Sequence, residues 1–151
     1  MNQDQGFVRW SIEEFKANLL EALKIVVLAG RRIVLQQAGK EVAAIIPIKE
    51  FHRLEYLQHE LVPPIWEPYE EEYYDDDGGI HCVLLSEIEA EFNDIITEIT
   101  VYNELFGLLP PQHLSGKEFD AFAPVAIMMN IDKFWVSEYW IAEKDRLKAC
   151  R

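Results

Sequence analysis

The residue types that most often perform chemistry in proteins are scattered in this sequence. His52 and His59 would share one face of a helix, but two imidazoles alone make a poor metal site, and His81 and His113 stand far from them. The sequence has no glycine-rich phosphate loop, no Gly-x-Ser-x-Gly elbow and no His-Glu-x-x-His motif. We therefore expect no catalytic, metal or cofactor site, and we expect a protein that is not an enzyme.

Carboxylates are the other candidate ligands. Residues 70–72 are three glutamates and residues 75–77 are three aspartates, and such oxygens could hold calcium or magnesium. The run lacks the one-three-five spacing and the terminal glutamate of an EF-hand loop. A solvated, self-repelling loop is the interpretation that the pattern favours.

The charge of the chain is unevenly distributed. The formal net charge is -13, yet residues 1–61 carry as many acidic as basic side chains, so the negative charge belongs to the rest of the chain. Binding to nucleic acid needs clustered Lys and Arg, so an acidic balance argues against a general affinity for nucleic acid, and the acidity belongs to the C-terminal part. This asymmetry predicts two parts with different partners.

The two cysteines and the lengths of the apolar runs indicate in which cellular compartment the protein is expected. Cys82 and Cys150 match no metal or redox spacing, and no targeting segment is recognisable. Runs such as Ile25 to Ala29 are too short to cross a bilayer. We expect a cytoplasmic protein with reduced thiols and no membrane contact.

The first part of the chain has the signals of a small βαββα module. A β-prone stretch at Phe7 to Trp10 precedes a capping box, Ser11 to Glu14, and an amphipathic helix that ends near Gly30. Two strands around the turn at residues 38–40 then form a hairpin, and a helix follows from Ile48 to Leu61.

The second hairpin strand, residues 41–46, is apolar at nearly every position. Both of its faces should therefore be covered, and in so small a module a second chain would cover the second face most easily. This pattern predicts a homodimer.

The C-terminal part divides into a linker at residues 62–80 and a helical, partner-binding region at residues 81–151. The linker interleaves acids with aromatic residues, as either a binding segment for a basic partner or a solvated connector would. Helices are predicted from Cys82 to Leu109, with an N-cap at Ser86, and between Ser115 and Ala149, and no internal repeat is visible. Aromatic side chains are the candidate partner-binding residues: Trp66, Tyr69, Tyr73, Tyr74, Phe134, Trp135, Tyr139 and Trp140.

The first module resembles the N-terminal domain of Phd/YefM-type antitoxins. The segment from Ile12 to Leu19, Ile-Glu-Glu-Phe-Lys-Ala-Asn-Leu, is similar to the first-helix motif of that family. The segment from Ala38 to Pro47, Ala-Gly-Lys-Glu-Val-Ala-Ala-Ile-Ile-Pro, is similar to its hairpin. The expected fold is therefore α+β, with a Phd/YefM-like dimerisation module at residues 1–61 followed by a mainly α-helical C-terminal part.

The resemblance implies a dimer that binds operator DNA and a C-terminal segment that neutralises a cognate toxin. The positions that match the family's DNA-binding surface are Arg9, Ser11, Lys16, Asn18, Arg31 and Arg32. Two functions stay open at this point. One is an antitoxin and transcriptional autorepressor, and the other is a structural or regulatory subunit that reuses the dimer module without binding DNA.

Overall fold

The computed structural model describes residues 7–61, 80–111, 123–136 and 138–139. The first of these ranges contains strand β1 (Phe7–Ser11), helices α1 (Ile12–Ala17) and α2 (Leu19–Val27), strands β2 (Arg32–Gln37) and β3 (Lys40–Pro47), and helix α3 (Ile48–Leu61). The first strand, the hairpin and the last helix lie where the sequence predicted them.

The first predicted helix is divided into α1 and α2. The capping box is present: the Ser11 hydroxyl accepts a hydrogen bond from the Glu14 amide at 3.0 Å, and the Glu14 carboxylate accepts one from the Ser11 amide at 2.8 Å. Asn18 interrupts the helix with a non-helical backbone (φ -137°, ψ 47°), and its side-chain amide donates to the Glu14 carbonyl at 2.9 Å. Apolar spacing did not reveal the break, because the stripe continues through it.

The C-terminal part is not mainly helical in the residues that the structure describes. It contains strand β4 (Ile80–Val83), helices α4 (Leu85–Ala90) and α5 (Phe92–Thr100), strands β5 (Leu105–Leu108) and β6 (Ala126–Asn130), and a final helix that includes residues 131–136 and 138–139. The prediction of one long helix from Cys82 to Leu109 was wrong, and α4 begins one residue before Ser86. The run at residues 126–129 is a fully buried strand, which periodicity alone does not distinguish from a buried helix.

The six strands of the described residues form one mixed sheet with the order β1-β2-β3-β6-β5-β4. The outer pairs β1·β2 and β4·β5 are parallel, and the three inner pairings are antiparallel. The two halves of the chain therefore share one sheet, which is joined at its centre by β3 and β6.

In the part of the chain that the structure describes, helices cover the two faces of the sheet unequally. On the side that we call the four-helix face, α1, α2, α4 and α5 pack through residues such as Phe15, Val26, Ile88 and Ile99. On the other side, the two-helix face, α3 and the final helix pack through Phe51, Leu54 and Phe134. Each apolar cluster contains residues from both halves of the chain, so the two halves share their core.

The apolar strand that led to the homodimer prediction is β3. Ala43 and Ile45 lie in the four-helix cluster, whereas Ala44 and Ile46 lie in the two-helix cluster. The edge of β3 that does not pair with β2 pairs with β6. The chain itself therefore covers the surface for which a second chain was expected. The expectation of a homodimer loses this support, and the structure does not test it in any other way.

The two halves of the sheet repeat one arrangement of strand, two helices, strand, strand and helix. In the first unit (residues 7–61) Phe7 of β1 pairs with Arg32 of β2, and in the second unit (residues 80–139) Ile80 of β4 pairs with Leu105 of β5. Each residue of the second pair lies 73 positions after its equivalent in the first pair. The helices α1 and α2 correspond to α4 and α5 at the same offset, since Ile12 and Leu19 begin the first pair and Leu85 and Phe92 the second.

The two units are related by an approximate two-fold axis between β3 and β6. A longer connection before β6 raises the offset to 83, which makes Met128 the equivalent of Ile45, and these two residues pair with each other. Met128 pairs with Phe106 as Ile45 pairs with Ile33. The fold is therefore a pseudo-dimer within one chain.

Few identical residues mark the repeat. Over β1 to β2 the two units share only the pairs Glu14/Glu87, Ala17/Ala90 and Leu35/Leu108. The backbone conformation is better preserved between the units than the residue identities. Gly30 (φ 67°) and its equivalent Asn103 (φ 57°) both take the left-handed conformation after their helices. The absence of a visible repeat in the sequence was therefore misleading.

Candidate interaction surfaces

Three of the candidate DNA-binding residues lie in or next to α1 on the four-helix face: Ser11 is its N-cap, Lys16 is in its last turn and Asn18 is its C-cap. Ser11 uses its hydroxyl in the capping box, and Asn18 uses its amide to close the end of α1. The Lys16 ammonium lies 5.5 Å from the ring centroid of Phe92 in the second unit, a cation-π contact that joins the two units. All three side chains therefore have structural roles within the chain.

Arg9 and Arg32 lie toward the two-helix face. Arg9 Nε donates to Glu41 Oε2 at 2.8 Å, and the guanidinium lies 4.9 Å from the Phe7 ring centroid. Arg32 forms an ion pair with Glu138 of the final helix. Arg31, half-buried between α2 and β2, donates its amide to the Ile25 carbonyl at 3.2 Å.

The six candidate residues therefore do not form one surface, because α1 and the two arginines lie on opposite faces of the sheet. The second unit does not restore a paired surface either. Its equivalents are apolar, acidic or a thiol: Cys82, Leu84, Glu89, Glu91, Glu104 and Leu105. Carboxylates at these positions would repel phosphate.

The candidate partner-binding aromatics fall into three groups. Phe134 is 1% exposed and is a core residue, so its assignment to a partner surface is corrected. Trp135 and Tyr139 are exposed on the final helix. The others, Trp66, Tyr69, Tyr73, Tyr74 and Trp140, lie outside the described residues, as does the predicted linker at residues 62–80 except for Ile80, which begins β4.

The final helix belongs to the second unit by sequence but packs on the first. Phe134 and Trp135 lie 6.2 Å and 5.8 Å from the ring centroid of Phe7 in β1, both edge to face. The indole Nε1 of Trp135 donates to Glu41 Oε1 at 3.2 Å. This helix therefore joins the units, as the exchanged helix of an intertwined dimer would.

A groove that the sequence did not predict opens between β4 and α5. It has a volume of about 270 Å³ and is lined by His81, Val83, Glu91, Asp94, Ile95, Glu98 and Phe106. Beside it, His81 Nε2 and Glu104 Oε1 lie 2.8 Å apart. The signal in the sequence was the absence of any Lys or Arg between residues 80 and 111.

A larger groove of about 770 Å³ lies where α2 ends and α3 begins. Its lining is mainly apolar and includes Leu28, Ile48 and Val125. Within the described ranges no His, Cys, Asp or Glu cluster has the composition of a metal site. No helix among these residues is long and apolar enough to cross a membrane.

Comparison with family models, with curated proteins and with solved structures finds no match to this chain.

Proposed function

We propose that this chain is a non-enzymatic, protein-binding regulator or assembly subunit, built from two Phd/YefM-like units fused into a single-chain pseudo-dimer. The observation that carries this proposal is the pairing of β3 with β6 around the Ile45–Met128 contact. The dimerisation edge of the first unit is already occupied by β6 of the same chain. Only the other surfaces of the fold then remain for binding other proteins.

The placement of the second half supports this function over toxin neutralisation by a C-terminal segment. A segment that wraps a toxin must be able to leave its own fold. Here Ile127 and Met128 are 0% exposed at the centre of the sheet, so that removing them would expose the core of both units. The described part of residues 80–139 is therefore half of the fold.

The candidate DNA-binding residues support a role without operator binding. A dimeric repressor reads two half-sites with two equivalent surfaces. In this chain Lys16, Asn18 and Arg31 have Glu89, Glu91 and Glu104 as their equivalents in the second unit. One half of such an interface would therefore oppose the phosphate backbone.

The test combines DNA binding with partner capture. Tagged full-length chain is purified from its native host at ordinary salt, and its affinity for DNA from upstream of its own gene is measured by fluorescence anisotropy. We expect a stoichiometric protein partner and no preference for the upstream DNA over scrambled DNA. A preference of about a thousandfold, typical of specific binding, contradicts the proposal.

The second candidate function is the antitoxin and autorepressor. The neutral first unit with its resemblance to Phd/YefM antitoxins favours it, together with an acidic second half that would suit a basic toxin. Its expectation is that Arg31→Glu abolishes operator binding and leaves toxin binding intact. Growth arrest on expressing the neighbouring open reading frame alone, relieved by this chain, would establish it against the first proposal.

A further inference from the structure

Three side-chain contacts on the two-helix face join strands of the first unit to the final helix. They are an ion pair, a hydrogen bond and an edge-to-face ring contact: Arg32 with Glu138, Glu41 with Trp135, and Phe7 with Phe134. In each contact the strand residue belongs to the first unit and the helix residue to the second. A two-fold pairing of identical units would require one unit to carry both members of each contact.

The first unit does carry both members. At the offset of 83, the residues of α3 that are equivalent to the three helix residues are Glu55, His52 and Phe51. Two first units paired through β3 would therefore bring Arg32 to a glutamate, Glu41 to an imidazole and Phe7 to a phenylalanine of the other copy. The first unit is complementary to a second copy of itself at all three contacts.

The second unit does not have this property. Its residues at the three strand positions are Leu105, Pro124 and Ile80. A pair of second units would leave the Glu138 carboxylate without a cation and the Trp135 indole without a carboxylate. On the four-helix face, Glu89 would replace Lys16 beside the Phe92 ring, whose negative face repels a carboxylate. Only the first unit has residues that favour pairing with its own kind.

Pairing between two chains would keep the central strands covered. Ile45 would lie opposite Ile45 of the other copy, as it lies opposite Met128 within the single chain. The two second units would pair through β6 in the same assembly, with Met128 opposite Met128. The apolar burial of the two arrangements is therefore similar, and the side-chain contacts of the two-helix face favour one arrangement over the other.

We propose that the second unit is a built-in competitor, which covers β3 and so keeps the first units of two copies of this chain from pairing with each other. The covalent connection gives the second unit an effective concentration on the order of millimolar at β3, so that pairing within the chain prevails in dilute solution. This inference rests on the proposed single-chain pseudo-dimer and adds a regulatory role for its second unit. Weakening the contacts to the final helix releases the first unit for a second copy.

The test exchanges charges in the full-length chain. Arg32→Glu with Glu55→Arg opposes the contact within the chain, where position 32 faces Glu138, and restores the contact between copies. Arg32→Glu alone opposes both contacts, whereas Glu55→Arg alone opposes only the contact between copies. Arg32→Glu with Glu138→Arg restores the contact within the chain, and the four variants together form matched double-mutant comparisons.

Ile45→Cys reports the pairing of two copies, in a chain whose native thiols are removed by Cys82→Ser and Cys150→Ser. Residues directly opposite each other in antiparallel strands have Cα atoms about 4.5 to 5.5 Å apart, within the range that a disulfide spans. Within the single chain position 45 is buried and faces Met128. A disulfide-linked dimer therefore forms when β3 pairs with β3 of another copy.

In a glutathione redox buffer, Arg32→Glu with Glu55→Arg should form the linked dimer about tenfold faster than Arg32→Glu alone, because one restored charge contact shifts an equilibrium by about that factor. Glu55→Arg alone, and Arg32→Glu with Glu138→Arg, should keep the slow rate of the native charges. Equal rates for Arg32→Glu with and without Glu55→Arg overturn the inference. If Ile45→Cys does not fold, light scattering on the charge variants without it decides: twice the mass of one chain is expected for Arg32→Glu with Glu55→Arg, and a monomer overturns the inference.

The failure of this inference and the failure of the proposed function give different results. Slow linkage that ignores the charges refutes the competition and leaves the single-chain pseudo-dimer standing. Complete and rapid linkage with native charges would show that the wild-type chain itself pairs through β3, which refutes both.

Discussion

The two units of this chain have the same order and pairing of helices and strands, but their surfaces differ in charge. Equivalent core positions keep large apolar side chains, as Phe15 and Ile88 do on the four-helix face and Phe51 and Phe134 do on the two-helix face. Equivalent surface positions have diverged in charge, as Lys16 and Glu89 have. The comparison indicates that packing around the central strands has limited change in the core, whereas the surfaces have diverged in charge.

Shared packing predicts that the units unfold together, and a buried charge at the pseudo-two-fold axis gives the largest expected effect. Met128 is 0% exposed, so Met128→Lys buries an unpaired ammonium at a cost of several kcal/mol. Hydrogen exchange should show protection lost in residues 7–61 as well as in the second unit. If the first unit keeps its protection, the units are independent domains and the comparison fails; Val136→Lys at an exposed site is the control.

The equivalent phenylalanines of the two-helix face test whether the units contribute equally. Phe134→Ala and Phe51→Ala should each lower the free energy of unfolding by about 3 to 5 kcal/mol, because both rings are buried in one shared cluster. Urea denaturation followed by circular dichroism measures both. A small loss of unfolding free energy for Phe134→Ala, with a large loss for Phe51→Ala, would show that the final helix contributes little to the fold. Its aromatic residues would then again be candidates for binding a partner.

Gly107 and Val34 are equivalent residues in β5 and β2, and only one has a side chain. A Cβ built on Gly107 would lie 2.9 Å from the Pro124 Cβ and 3.1 Å from Ile80 Cγ2. Gly107→Val should therefore destabilise the fold by about 1 to 3 kcal/mol through overpacking, although valine is the residue of the first unit. Thermal unfolding measures the change. A stabilised variant would show that the space around residue 107 accommodates a valine side chain, and it would contradict the overpacking.

The smallest effect is expected at the N-terminal caps. Ser11→Ala should cost about 1 kcal/mol, because the Glu14 amide loses its acceptor. In the second unit Leu84 stands at the equivalent position, and only the Glu87 carboxylate, which accepts from the Leu84 amide at 2.7 Å, is retained. Ser86→Ala is the matched control within α4 and should change the unfolding free energy by less than about 0.5 kcal/mol; equal losses would refute this distinction.

Local signals in the first unit were strong enough to predict most of its elements. The capping box at Ser11, the hairpin turn before Lys40 and the strand ending at Pro47 each depend on neighbouring residues, and all three are present. The break at Asn18 was missed, because it changes the backbone without changing the apolar stripe.

The second unit was predicted less well, since its strands depend on distant partners. β5 and β6 are short and buried, and the pairing that makes them strands joins segments separated by a long connection. The acidic character of the region was evident from the sequence, but the groove beside Val83 depends on how β4 lies against α5. The candidate site therefore required the sheet topology.

The molar mass of the full-length chain in solution tests the central claim most directly. If the second unit occupies the place of a second copy, light scattering at micromolar concentration should give the mass of one chain, 17.6 kDa. A stable species of twice that mass, dissociated by a charge introduced at Ile45 in β3, would show that β3 pairs between chains and would contradict the single-chain pseudo-dimer.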